Sequence, residues 1–144
     1  MSGLNFKLYQ EAPETETPYI QLQVGKGKKK QPSVFMDSDA FDCIKGIIWN
    51  KYREFGNHKK INQINNDDWR RILNGFEEVI LDLNGGSTPD QLMHILSIPN
   101  HLYSQKDIIF EHKKELQTFI KELTQWIETN LKKEKYILVI QNDQ

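Results

Sequence analysis

Cysteine is nearly absent from this chain: Cys43 is the only one among 144 residues. A single thiol has no internal partner, which excludes a disulfide framework within the chain and points to a reducing compartment. Nor is there any stretch near the roughly 20 apolar residues needed to span a membrane, and residues 1–7 hold no apolar run of signal-peptide length. The cytoplasm is therefore the expected location, with no membrane partner. Charge of one sign is not in excess either. Lys and Arg number 19 against 20 Asp and Glu, for a net charge of −1. No global field draws the chain to nucleic acid or an anionic surface, although local patches are allowed. Internal repeats, low-complexity tracts and a second-domain linker are also missing, so residues 1–144 read as a single domain. A chain this long buries roughly 68–70% of its unfolded surface on folding.

What the chain does have is a supply of core patterns. Residues 137–140 form an apolar run that Tyr136 extends, bounded by Lys135 and Gln141. This is the pattern of a strand buried on both faces, and it predicts a C-terminal strand returning to the sheet interior. Near the other end, Leu4, Phe6 and Leu8 alternate with polar residues, as do Ile20, Leu22 and Val24, and Val34-Phe35-Met36 is short and apolar. Three strands so close in sequence predict an N-terminal antiparallel three-stranded meander.

Four helices are expected between meander and final strand. Asp37-Ser38-Asp39 caps the first, with Phe41, Ile44, Ile48, Tyr52 and Phe55 along one stripe. Asn66-Asp67-Asp68 caps the second, whose stripe holds Trp69, Ile72, Phe76, Val79, Ile80 and Leu83. Thr88-Pro89-Asp90-Gln91 opens a short third helix with a capping box, ending before Pro99. Ser104 begins the longest, with Ile109, His112, Leu116, Phe119, Ile120, Leu123 and Ile127 on one face. The amide-rich residues 57–66 read as a loop. The expected class is α+β.

Site signals are thinner. Met36-Asp37-Ser38-Asp39 resembles the nucleophile motif of haloacid-dehalogenase-type phosphatases, in which one Asp attacks phosphorus, the next handles a proton and Mg²⁺ neutralises charge. The rest of that pattern is missing: a parallel doubly wound sheet, a downstream Lys and an acidic pair at another strand end. The plainer reading is a helix cap. His94, His101 and His112 have no recognised ligand spacing, and Cys43 beside the first stripe reads as a small apolar residue. No catalytic residue, metal or cofactor is assigned. Lys26, Lys28, Lys29 and Lys30 cluster on the turn between the second and third strands. They lack the order of a phosphate loop; an accessory nucleic-acid contact there is the remaining alternative, and nucleic acid is not the expected partner.

Two of the three tryptophans fall on or beside core stripes: Trp69 heads its stripe, and Trp126 borders that of the long helix. Trp49 is one step past Ile48 and off the stripe, beside Lys51 and Arg53. A marginal Trp among basic residues has the character of an interface anchor. The helix segments Phe41-Asp-Cys-Ile-Lys-Gly-Ile-Ile-Trp49 and Asp67-Asp-Trp-Arg-Arg-Ile-Leu-Asn-Gly-Phe-Glu-Glu-Val-Ile-Leu81, with the meander and lone cysteine, resemble the small cytoplasmic immunity proteins that neutralise bacterial polymorphic toxins. That resemblance is one of style over most of the chain. It implies a non-enzymatic protein that binds a cognate toxin domain. Immunity proteins against nuclease toxins are often strongly acidic, which this chain is not; its acidic patches must be local, or its toxin need not be a nuclease. The expected partner-binding residues are Trp49 and Arg53 off the stripe with Tyr52 at its end, then His58 and Lys59 in the loop, then Glu77, Glu78 and Asp82. Homo-oligomerisation is left open.

Overall fold

The computed structural model describes residues 4–14, 17–25, 31–56 and 59–142. Among these, strands β1 (Tyr19–Val24), β2 (Ser33–Asp37), β3 (Ile61–Asn65) and β4 (Tyr136–Asn142) form one antiparallel sheet in the order β2-β1-β4-β3. The class is α+β. β4 sits between β1 and β3, with Leu22 opposite Val139 on one side and Ile64 opposite Ile137 on the other. The apolar run thus does return to the sheet interior, where each apolar residue has a cross-strand neighbour.

One sheet face carries Ile20, Leu22, Val24, Val34, Met36, Ile64, Ile137 and Val139, all buried, and all but Val24 belong to a single core. The helices supply the other side of that core: α1 (Ser38–Asp42), α2 (Lys45–Lys51), α3 (Asn66–Asn84), α4 (Pro89–Ile95), a 3-10 helix (Asn100–Gln105), α5 (Lys106–Glu111) and α6 (Lys113–Leu131). α3 and α6 pack together with their stripes in this core, Trp69, Ile72 and Phe76 from one and Phe119, Ile120 and Leu123 from the other, as the stripes predict. The Asn65 side chain accepts from the Asp68 N–H to start α3, and the capping box at Thr88 and Gln91 is present at α4. None of the described helices is long and apolar enough to cross a membrane.

Four expectations are corrected. The three-stranded meander does not form, because residues 4–8 do not pair. Phe6 instead packs its ring 5.5 Å from that of Phe119, and the segment meets the sheet only where Tyr9 bridges Phe35. Alternating apolar residues therefore report an extended segment with one buried side, which here lies against α6. Residues 57–66 are not all loop, since β3 supplies the fourth strand. Its pattern escapes notice because Ile61 points outward and Asn62 inward. Asn62 is tolerated at 4% exposure because its amide accepts from the Gly56 N–H and donates to the Gly56 carbonyl.

The first expected helix is two, broken at Cys43 and Ile44 and ended at Tyr52; turns from Cys43 N–H to the Ala40 carbonyl and Ile44 N–H to the Phe41 carbonyl make the bend. The longest expected helix also breaks. A 3-10 turn opens it, and at His112 the ring Nδ1 lies 2.9 Å from the Ile108 carbonyl where α5 gives way to α6.

Candidate protein-interaction face

α2 turns Ile47 and Ile48 into the core, so the same seven residues must present Trp49 and Asn50 outward. Trp49 is 45% exposed, and the Arg53 guanidinium lies 3.9 Å above its ring centroid. Stacking of this kind, worth about 0.5–1 kcal/mol at an exposed site, favours one arrangement of the two side chains. Tyr52 is half-buried against the core; burial pushes its hydroxyl pKa up, and the nearby Glu54 and Asp68 charges push it the same way.

Two close approaches fix α2 in place. A Cβ on Gly46 would fall 2.1 Å from the Ser97 carbonyl oxygen, so only glycine allows this helix to sit on the loop after α4. Ser97 has φ 54°, and its N–H and that of Ile98 close onto the His94 and Met93 carbonyls. This is a Schellman termination with serine where glycine is usual. The Asn50 side-chain amide donates to the Ser97 hydroxyl. On the other side, Gly75 of α3 lies under Ile47 and Lys51.

The outcome is a shallow cleft of about 240 Å³ edged by Asn50, Lys51, Glu78, Asp82 and Ser97. A smaller hollow of about 140 Å³ runs alongside, between Trp49 and Pro99. Lys51 Nζ and Glu78 Oε2 are 3.4 Å apart across the cleft. Both are solvated enough that the pair adds little stability, but it sets a mixed-charge border. The face thus offers an aromatic anchor, a stacked guanidinium and carboxylates of opposite sign nearby.

Of the residues expected to bind a partner, Trp49 and Arg53 come together, and Glu78 and Asp82 share the adjoining cleft. Glu77 does not join them. It borders a separate groove of about 350 Å³ between α3 and α6, with Arg70, Asn74, Glu128 and Lys132. Adjacent residues on a helix point about 100° apart, which is why Glu77 and Glu78 part company. Lys59 lies at the sheet edge instead: its stem covers Gly56 and its carbonyl accepts from Gln141 Nε2. His58 and the turn with Lys26, Lys28, Lys29 and Lys30 lie outside the described residues. Sequence reasoning missed Asn50, Ser97 and Pro99. A left-handed serine leaves no glycine to mark the turn, so nothing in the pattern signals that the loop after α4 reaches α2.

The Asp37 and Asp39 pair sits elsewhere, where β2 runs into α1. Asp37 occupies the N-cap position without a side-chain cap bond. Burial pushes its carboxyl pKa up, the Asp39 charge adds to this, and a hydrogen bond with Asn5 opposes both. The strand that carries it belongs to an antiparallel sheet, whereas the phosphatase motif needs the carboxyl ends of parallel strands. Cys43 is fully buried, and burial, with Asp42 and Asp39 nearby, pushes its thiol up to about 12. Among the described residues no cluster of His, Cys, Asp and Glu is arranged to hold a metal ion. No protein-family model matches the chain, and comparison with curated proteins and with solved structures likewise returns no match.

Proposed function

We propose that this chain is a non-enzymatic inhibitor, an immunity protein that neutralises a cognate bacterial toxin by binding it through the α2 face. The observation that carries the reading is the exposed Trp49 ring with Arg53 stacked on it. Trp and Arg are the residues most often found at the energetic centre of protein interfaces, where pre-ordered side chains lose little entropy on binding. Lys51, Glu78 and Asp82 surround this anchor with charges of both signs, which set register and association rate more than affinity. The style of helix segments 41–49 and 67–81 narrows the partner from any protein to a toxin domain.

The test is affinity capture of the tagged chain from the cells that make it, followed by size exclusion in high salt. The expected result is one stoichiometric partner whose expression alone arrests growth, with growth restored by co-expressing this chain but not its Trp49→Ala variant. A chain that elutes alone, or a partner that is harmless when expressed, overturns the reading. Hydrolysis of a phosphate ester that disappears in Asp37→Asn would put a phosphatase in its place.

A further inference from the structure

The two edges of the sheet are finished differently. Along β2, Tyr9 and Phe35 exchange main-chain bonds of 2.8 and 2.9 Å, so the N-terminal arm covers that edge. β3 forms the other edge. Its Lys60 carbonyl accepts from the Gln141 N–H, and the register continues with Asn62 opposite Val139 and Ile64 opposite Ile137. Main-chain groups alternate in direction along a strand, so those of Ile61 and Gln63, and the N–H of Asn65, point away from the sheet. All three residues are exposed, Ile61 at 56%. The strand carries none of the usual guards within it: no charge, no proline and no bulge.

We propose that this edge is a self-association site, at which a second copy of the chain pairs antiparallel along Ile61–Asn65 with Gln63 on the twofold axis. The charges beside the strand select that occupant. Exposed Lys59 and Lys60 precede it, and exposed Asp67 follows it in the first turn of α3. Asp68 is already engaged by Arg71 at 3.4 Å, which leaves Asp67 as the outward acid. An antiparallel pair centred on Gln63 brings the Lys59 end of each copy's strand to the end of the other where α3 begins with Asp67. A parallel pair would instead set lysine against lysine. The centred register also matches the hydrogen-bonding directions. The two Gln63 residues exchange N–H and carbonyl, and each Asn65 N–H reaches the Ile61 carbonyl of the other copy. A five-residue strand covers less than the roughly 800 Å² per partner of a standard interface, so the association is a concentration-dependent equilibrium.

Sedimentation equilibrium over a dilution series tests this, with far-UV circular dichroism as the check on folding. Wild type is expected to dimerise reversibly. Gln63→Pro removes an N–H that the sheet does not use, and should weaken the dimer about tenfold or more while the fold persists. Lys59→Glu and Asp67→Lys should each weaken it, and the double variant should restore it, since the swap re-forms the pairs in reverse. The charge swap stands as a test even if the proline variant fails to fold. Three results overturn the proposal: a monomer at the highest soluble concentration, including one that pairs only with a foreign strand; a dimer indifferent to Gln63→Pro; or a double swap no better than either single change.

Discussion

Trp69 and Trp49 are the same residue put to opposite uses. Trp69 is fully buried at the start of α3, and its indole N–H donates 3.1 Å to the Ile137 carbonyl of β4. Trp49 lies 45% exposed on α2 with Arg53 over its ring. The first joins helix to sheet across the core, and its loss falls on folding. The second adds little to the core, so its loss should fall on recognition. Exposure alone does not separate Trp49 from Leu81, which is 70% exposed; the guanidinium stacked on the Trp49 ring does, and this is why the α2 face carries the functional reading.

Replacing Trp69 should have the largest effect. Trp69→Ala is expected to cost about 3–5 kcal/mol in chemical denaturation, since it opens a cavity between α3 and the sheet. Trp69→Phe should cost less, about 1–2 kcal/mol, chiefly through the lost indole donor. Gly46→Ala comes next. Its methyl group would collide with main-chain oxygen at Ser97, which cannot rotate aside as a side chain can. A loss of about 1–3 kcal/mol is expected, with weaker partner binding as α2 lifts from the loop after α4. This variant sharpens the comparison, because it disturbs the recognition face through the core.

Smaller effects fall on the surface. Arg53→Lys keeps the charge but loses the flat stack on Trp49. Thermal stability should hold within about 0.5 kcal/mol, while partner affinity falls by about 0.5–1 kcal/mol. Ser97→Gly should be milder still. It relieves about 1 kcal/mol of left-handed strain and loses a similar amount through the freer unfolded chain, so the melting temperature should scarcely move. A large drop there would show that the Asn50 bond, and not the turn, holds α2 against Ser97.

The same contrast explains what was legible beforehand. β4 could be read directly, because the run from Ile137 to Ile140 admits few other structures, and α3 could be read from its cap and stripe. β3 could not, because one of its two inward residues, Asn62, is an amide whose hydrogen bonds to Gly56 substitute for apolar packing. The break at His112 was hidden for a related reason: the apolar stripe continues across it, and only the main chain bends. Trp49 was identifiable as off-stripe, as were Arg53, Glu78 and Asp82. Their grouping depended on a left-handed serine and a glycine contact distant in sequence, and Glu77 was misgrouped with Glu78 by proximity along the chain. Stripes encode what a helix buries; which exposed residues meet is decided by contacts between elements.

The central claim is that Trp49 serves recognition and not folding. Its direct test is the Trp49→Ala variant, followed by urea denaturation and, in parallel, by titration calorimetry against the captured partner. Unfolding within about 0.5 kcal/mol of wild type, with affinity weaker by about 2 kcal/mol or more, is the predicted result. Unchanged affinity, or a stability loss on the scale expected for Trp69→Ala, would contradict it.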